Sequence, residues 1–196
     1  MGGGKGKTLS MSQRHLTKKE FRQSLPDYWS EEEKDLAISY VNAFTGKGYG
    51  RIRHNPDGAE ATLIEDVLAK SNNKWQGKTI YRGIGMTPSE LRTYHVGKVI
   101  DQKGLSSWSN DFSVADVFAD SGVHNYREGE YPVRVIFEDS ASRSMNAMSI
   151  RGVSQVYYDQ EVLRSSKSRQ EILSIEIKRT KYAGDYYHIK VQEYQD

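Results

Sequence analysis

The sequence predicts an α+β domain, because helix signals fill the first third of the chain and strand signals fill most of the rest. Up to about residue 70, apolar residues recur at three-and-four spacing, which is typical of amphipathic helices. From about residue 78, short runs rich in β-branched and aromatic residues alternate with turn residues, as strands do. Helices followed by strands favour separate layers over alternating βαβ units.

The first long helix is predicted to begin at Ser30, which has Glu33 three residues later. The Ser30 hydroxyl can accept from the Glu33 amide while the Glu33 carboxylate reaches back, which forms a capping box. Apolar residues then follow the helical spacing until the helix ends near Gly46; they are Leu36, Ala37, Tyr40, Val41 and Phe44. A loop and a short segment over residues 46–58 precede a second helix over residues 61–69.

The remaining segments alternate strands with two shorter helices. Pro88 suits the first turn of a helix, because that position needs no amide donor, and residues 113–119 have helical spacing. The predicted strands are residues 78–83, 96–100, 104–109, 133–138, 158–163, 172–178 and 186–191.

Composition narrows the class of protein. A chain of 196 residues is long enough to bury a core, and its formal net charge of +2 does not demand nucleic acid or a membrane as partner. The absence of cysteine excludes disulfides and thiolate chemistry, and the five histidines lack metal-binding spacing, so no metal is expected. Without a spanning segment or a signal-peptide core, the chain is expected to be made in the cytoplasm; its oligomeric state is not indicated.

The amino-terminal residues differ from the rest in composition. Residues 1–7 are rich in Gly and Lys, which is typical of a flexible segment. We therefore predict a flexible basic arm over residues 1–24, with a short helix or arm around residues 18–23, followed by a single domain over residues 25–196.

Two carboxylates stand close together near the end of the chain. If residues 158–163 are extended, Asp159 and Glu161 point to the same side of the strand. Like charges that share a site push their pKa values apart, so one carboxylate can stabilise a cation while the other handles a proton. The alternative is an exposed strand edge with two solvated acids.

Three short motifs occur in order along the strand-rich part. They are Ile80-Tyr81-Arg82-Gly83, then Ser107-Trp108-Ser109 followed by Val114-Ala115-Asp116-Val117-Phe118-Ala119, then Asp159-Gln160-Glu161-Val162-Leu163. Each is weak alone, but their order resembles the Arg, Ser-Thr-Ser and Glu-x-Glu signature of the mono-ADP-ribosyltransferases. That R-S-E class includes bacterial toxins, phage enzymes and vertebrate ectoenzymes. Covering about residues 30–192, the resemblance implies two packed, mainly antiparallel sheets behind a helical amino-terminal part.

The resemblance also implies a substrate and a role for each motif. The substrate is NAD, whose nicotinamide bond breaks through a cation-like transition state, and no metal takes part. Arg82 would clamp the pyrophosphate, because its planar fork donates paired charge-assisted bonds. Ser107 would contact the nicotinamide ribose and orient Glu161. The ionised carboxylate of Glu161 would stabilise the cation. Gly83 would let the backbone approach NAD closely, and Ser109 would support the strand beside the cofactor.

The sequence departs from the family pattern at two positions. Trp108 replaces a small Thr and, on a strand, faces away from both serines, so we expect it in the core or against a loop. Asp159 replaces the first Glu, the residue that in the family serves the acceptor. Because Asp keeps the negative charge, arginine on a protein is the expected acceptor. Tyr157 and Tyr158 lie in the same acceptor-recognition segment, where an exposed aromatic can also stack on a base of a nucleic-acid acceptor.

Further alternatives stay open on the sequence alone. An NAD glycohydrolase would use water as the acceptor, and an inactive binding module of the same fold would hold a protein or nucleic acid through its surface and basic arm. Action in a host cell is compatible with the resemblance. An aromatic among Phe112, Phe118 and Tyr126 would stack on the nicotinamide, although the apolar face of its helix is the expected place for Phe118.

Overall fold

The computed structural model describes residues 14–76, 78–124, 129–140, 146–180 and 184–195. In chain order its helices are α1 (Lys18–Ser24), α2 (Glu31–Phe44), α3 (Tyr49–Arg53), α4 (Ala59–Lys70), α5 (Pro88–Leu91) and α6 (Phe112–Val123). Its strands are β1 (Ile80–Met86), β2 (Val99–Asp101), β3 (Ser106–Ser109), β4 (Val133–Asp139), β5 (Ala147–Ser149), β6 (Glu161–Arg164), β7 (Arg169–Thr180) and β8 (Gly184–Glu193). A 3-10 helix spans Tyr157–Asp159.

The capping signals place the helices as the sequence predicts. The Ser30 hydroxyl accepts from the Glu33 amide at 3.1 Å, and the Ser30 amide donates to the Glu33 carboxylate at 2.7 Å. Pro88 occupies the first turn of α5 behind the Thr87 cap. The short segment before α4 is helix α3, which the sequence analysis left without a type.

The predicted arm extends too far into the chain. Leu16 and Phe21 are buried in the same hydrophobic cluster as α2 and α4, and α1 carries its own capping box between Thr17 and Glu20. Apolar side chains held in a core keep their backbone packed against the domain. The packed part of the chain therefore begins before Ser24, and the arm before Arg14 lies outside the described residues.

The eight described strands form one hydrogen-bonded series in the order β2-β7-β8-β4-β1-β3-β6-β5. The β4–β8 pair is parallel and the other pairs are antiparallel, which confirms a mainly antiparallel arrangement. The two sheets expected from the sequence are joined, because β1 and β3 meet at the register pair Tyr81 and Ser109. This narrow joint divides the series into a five-strand and a three-strand part.

Two larger hydrophobic clusters fill the space around the sheet. One cluster contains residues of α1 to α4 with Met148 and Leu163 of the three-strand part. The other contains residues of the five-strand part with Trp75, Trp108 and Val162. Successive residues of β5 and β6 thus point into different clusters, Ala147 and Val162 into the second and Met148 and Leu163 into the first, which is the period-two pattern of strands buried on both faces.

Helix α6 lies directly on β1 because glycines occupy the contact positions of the strand. A Cβ atom built on Gly83 would lie 1.7 Å from the carbonyl oxygen of Ala115, and one built on Gly85 would lie 2.3 Å from that of Gly122. No side chain fits between the two backbones at these positions. The sequence analysis assigned Gly83 to a close approach of NAD; the structure gives the Cβ side of Gly83 to helix α6.

We predict that Gly122→Ala destabilises the protein although alanine is the better helix former. The added Cβ would meet the Gly85 amide nitrogen at 2.2 Å, so the free energy of unfolding should fall by about 1–3 kcal/mol in urea denaturation. The matched control is Gly50→Ala in α3, where nothing lies within 4 Å of the new Cβ. That control should gain about 0.5–1 kcal/mol; equal effects of the two variants would contradict the packing argument.

Candidate active site

A cavity of about 830 Å³ opens where β1, β3 and β6 come together. Its walls include Arg53 of α3, Arg82 of β1, Ser107 of β3, the carboxylates of Asp159 and Glu161, and part of α6. The three sequence motifs therefore meet at one place. A cavity of this size suits a cofactor-sized ligand.

Ser107 donates a hydrogen bond from its hydroxyl to Oε1 of Glu161. Glu161 is paired in register with Ser109, and Ser107 with Leu163, so the bond is a diagonal contact between neighbouring antiparallel strands. Because both side chains lie on the same face of the sheet, the Ser-x-Ser and Asp-x-Glu motifs are brought together by strand pairing.

A second hydroxyl, which the sequence analysis missed, holds the other oxygen of Glu161. Ser154 Oγ donates to Oε2 of Glu161 at 3.3 Å and accepts from the Val156 amide at 3.0 Å. Serine is common in loops, so Ser154 carries no sequence signal of this contact. Glu161 thus has a neutral hydroxyl donor on each carboxylate oxygen.

Glu161 is only 7% exposed, and this burial controls the protonation of its carboxylate. Desolvation raises the pKa of Glu161 to about 6; the bonds from Ser107 and Ser154 and the charge of Arg82 oppose that rise, and Asp159 adds to it. The carboxylate is therefore largely ionised at neutral pH. It titrates closer to neutrality than a solvated glutamate does.

Arg82 is held in place by two neutral acceptors. Its Nη1 donates to the Ser107 carbonyl oxygen at 2.9 Å, and its Nε donates to Oε1 of Gln102 at 3.2 Å. A guanidinium has five N–H groups, so among the described residues these bonds leave three donors for a ligand. Arg82 thus keeps its charge and most of its hydrogen-bonding capacity towards the cavity.

Arg53 is a second cavity arginine that the sequence analysis did not single out. Its guanidinium donates to the main-chain oxygens of Leu105 and Gln102 and lies 5.9 Å from the centre of the Tyr49 ring. Burial, followed by the charge of Arg82, lowers the pKa of Arg53. Two guanidinium groups close enough to repel each other favour a ligand with more than one negative charge.

Asp159 is not on a strand, which corrects the prediction of an extended segment over residues 158–163. It ends the 3-10 helix Tyr157–Asp159, and Gln160 then adopts a left-handed conformation with φ of 46° before β6 begins at Glu161. The chain turns between the two acids, yet both line the cavity. Burial raises the pKa of Asp159.

The remaining predicted residues are placed as follows. Tyr158 is 84% exposed beside Asp159, and Tyr157 lies in the same 3-10 helix. Ser109 is buried and its hydroxyl accepts from the Asp111 amide at 3.0 Å, which fixes the turn into α6. Trp108 is buried on the opposite face, where its indole N–H donates to Ser106, as the strand alternation predicts.

The candidate stacking aromatics differ in position. Phe112 packs edge-on against Tyr81, with ring centres 5.5 Å apart. Phe118 is 52% exposed and lines the cavity, so it does not pack into the core with the apolar face of its helix. The α6 face towards the core is occupied by the smaller Ala115 and Ala119 instead. Tyr126 lies outside the described residues.

No group of three or more histidine, aspartate or glutamate side chains in the described ranges is arranged to hold a metal ion. None of the helices described for this chain has the length and apolar character needed to cross a membrane.

Comparison with solved structures shows that the chain has the ADP-ribosyltransferase fold. Vis, an ADP-ribosyltransferase toxin from Vibrio splendidus, is similar with a TM-score of 0.65 and 20% identity over 94% of this chain and 89% of that chain. Plx2a, an ADP-ribosyltransferase toxin from Paenibacillus larvae, has a TM-score of 0.62 and 14% identity over 90% of each chain. Exoenzyme S from Pseudomonas aeruginosa has a TM-score of 0.56 and 14% identity over 88% of this chain and 87% of that chain.

Sequence comparisons give no match of this kind. No protein-family model matches the chain, and no curated protein is significantly similar to it in sequence. The fold predicted from the three motifs is thus confirmed by structural similarity.

We predict that Glu161→Gln stabilises the protein at alkaline pH. The pKa of Glu161 is raised from 4.5 to about 6 on folding, so ionisation weakens the folded state as pH rises from about 4.5 to 6 and the loss persists above that window. At pH 8 the variant should exceed the wild type by up to about 2 kcal/mol in urea denaturation, and at pH 4.5 the difference should be small. Glu176→Gln on the exposed surface is the control; a gain independent of pH would contradict the burial argument.

Proposed function

We propose that this protein transfers ADP-ribose from NAD to an arginine side chain of an acceptor protein and releases nicotinamide. The observation that carries the proposal is a single cavity in which Arg82, Ser107 and Glu161 are joined by hydrogen bonds. The fold supports the same conclusion, since similar solved structures include ADP-ribosyltransferases.

The arginines account for binding of the dinucleotide. NAD carries two negative charges on its pyrophosphate, and Arg82 and Arg53 present two positive charges in one cavity. Arg82 keeps three donors for phosphate oxygens, a number that allows paired charge-assisted bonds. Phe118 is the exposed cavity aromatic on α6 and would offer its ring to the nicotinamide. In support, exoenzyme S has been solved with bound carba-NAD.

Glu161 accounts for the chemical step. The bond between the ribose carbon and the nicotinamide nitrogen breaks, its electron pair stays with the nicotinamide ring, and positive charge builds on the ribose. A buried carboxylate stabilises that charge more strongly than a solvated one, because little water screens it. Ser107 and Ser154 hold both carboxylate oxygens, so the charge is oriented before the bond breaks.

Asp159 accounts for the acceptor. It lines the same cavity as Glu161 on a separate turn, where its carboxylate can attract a guanidinium and take the proton that this group loses when its nitrogen attacks the ribose carbon. Tyr158 projects beside it and would contact the acceptor protein. Vis has been solved with agmatine, a guanidine compound, which supports an acceptor that carries a guanidinium group. Because several similar structures are toxins, we place the acceptor in a host cell.

Replacing Glu161 should remove activity while leaving NAD bound. With labelled NAD and a host-cell lysate, the wild type should label protein and release nicotinamide, and Glu161→Ala should lose both activities by at least about 10²–10³-fold. Calorimetry should still detect NAD binding, because the arginines are intact. Glu176→Ala, exposed on β7, is the matched control. Undiminished labelling by Glu161→Ala would refute the assignment.

Replacing Asp159 should separate transfer from hydrolysis. Asp159→Asn keeps the size of the side chain but loses its charge, so transfer to agmatine or protein should fall about 10²-fold or more, the range for a missing general base. Nicotinamide release to water should persist within about tenfold, since Glu161 is unchanged. Release without transfer by the wild type would instead identify an NAD glycohydrolase, and no release at all would favour the inactive binding module.

A further inference from the structure

Two glutamines form a hydrogen-bonded chain that leads from Arg82 away from the cavity. Arg82 Nε donates to Oε1 of Gln102 at 3.2 Å, and Nε2 of Gln102 donates to Oε1 of Gln170 at 3.2 Å. Nε2 of Gln170 in turn donates to the main-chain oxygen of Ser168 at 3.1 Å and to its hydroxyl at 3.0 Å. Gln170 is fully buried, so these hydrogen bonds replace the ones that water would make with its side-chain amide.

Buried charges fix the far end of this chain. The Ser168 hydroxyl accepts from Nε of Arg164 at 2.8 Å and donates to Glu193 at 2.8 Å, so its donor and both acceptor positions are used. Arg164 is fully buried, pairs with Asp139 at 2.8 Å and with Glu193, and lies over the Trp108 ring at 5.0 Å. Ser168 therefore has little freedom to rotate.

The two ends determine which way both amides point. A main-chain oxygen can accept but not donate, so the Ser168 carbonyl requires the NH₂ group of Gln170 and turns Oε1 towards Gln102. A guanidinium can donate but not accept, so Arg82 requires the oxygen of Gln102. Both conditions are met by one orientation of each amide, and reversing either glutamine would bring two donors or two acceptors together.

We propose that Gln102 is a positioning residue, which sets the direction of the Arg82 guanidinium for the NAD pyrophosphate; this inference rests on the function proposed above. Ser107 fixes one nitrogen of Arg82 and Gln102 fixes Nε, so the plane of the guanidinium is determined by two points. Without Gln102 the Arg82 guanidinium can rotate about its hydrogen bond to the Ser107 carbonyl oxygen. It would then turn towards the negative charge of Glu161, which interacts with it electrostatically.

A substitution of the Gln102 side chain changes the support of Arg82 but not that of Arg53. The carbonyl oxygen of Gln102 accepts from Arg53, and a side-chain substitution leaves that oxygen in place. The orientation of Arg82 is then altered while the contact of Arg53 is retained. Pyrophosphate binding precedes bond cleavage, so the change should appear in the KM for NAD more than in kcat.

The experiment compares Gln102→Leu, Gln102→Glu and wild type in nicotinamide release at varied NAD. Gln102→Leu should raise the KM for NAD about tenfold, the size expected for losing a hydrogen bond to a charged group, with kcat changed by less than about threefold. Gln102→Glu has nearly the same shape and should raise KM further, because its carboxylate neutralises Arg82 and faces Oε1 of Gln170. Gln192→Leu is the matched control: its amide donates to Glu171 at 3.0 Å and does not line the cavity.

Gln170→Leu supplies a second test of the chain. Its KM should rise in the same direction, and combining it with Gln102→Leu should add little, because both substitutions release the same guanidinium. A KM for Gln102→Leu and Gln102→Glu within about twofold of wild type would overturn the proposal. So would a fall in kcat and melting temperature at unchanged KM, which is the result expected of a purely structural residue.

A failure of the role proposed for Gln102 can be distinguished from a failure of the proposed transfer activity. If the wild type releases no nicotinamide but binds NAD in calorimetry, the transfer activity is refuted, and the ratio of dissociation constants between wild type and Gln102→Leu decides the role of Gln102. If the wild type binds no NAD, both proposals are refuted. If Gln102→Leu does not fold, Gln170→Leu gives the decision, since it removes the support of the Gln102 amide without adding a charge beside Arg82.

Discussion

Ser107 is the residue on which the candidate site depends, because it connects the cation and the acid without letting them neutralise each other. Its carbonyl oxygen accepts from Arg82 and its hydroxyl donates to Glu161. Both charged groups are therefore held by neutral partners, with Gln102 as the second acceptor for Arg82 and Ser154 as the second donor to Glu161. A direct Arg–Glu pair would have satisfied both charges internally and left little for a ligand. The arrangement instead keeps a positive and a negative charge available in one cavity.

Holding an acid in this way destabilises the folded protein, and the sheet has to provide the compensation. Burial raises the pKa of Glu161 to about 6, so at neutral pH its ionised form opposes folding. The strand that carries Glu161 is buried on both faces, with Val162 in one hydrophobic cluster and Leu163 in the other. The apolar area around the strand offsets a loss of about 2 kcal/mol. The same rigid packing keeps the carboxylate in place, which links the position of the acid to the core rather than to a loop.

Local signals in the sequence predicted most helices and strands, whereas most contacts between distant residues have no local signal. The capping box at Ser30 acts over three residues and is visible in the sequence. By contrast, β5 has three residues and no alternation to reveal it, and the left-handed Gln160 is a conformation that non-glycine residues rarely adopt. The main-chain partners of Arg53, Leu105 and Gln102, come from a segment about 50 residues away. The motifs identified the residue types of the site, and the supporting residues Ser154 and Gln102 emerged from the packing.

The turn at Gln160 separates the two acids in structure, as the proposed function separates them in role. Glu161 belongs to β6 and is fixed by strand pairing, but Asp159 belongs to a segment that is anchored to α2 instead. The main-chain amide of Gln155 donates to the Thr45 hydroxyl at 2.8 Å, and its side-chain amide donates to the Asn42 carbonyl at 3.1 Å. The Asn42 side chain donates to the Val153 carbonyl at 2.8 Å. Since this segment has its own anchor, its positions other than Ser154, which donates to Glu161, can change without moving the Glu161 carboxylate. On a single strand, Asp159 and Glu161 would have been equivalent. Here Glu161 lies on a strand fixed by pairing, and Asp159 lies on a connecting segment whose sequence can vary more freely.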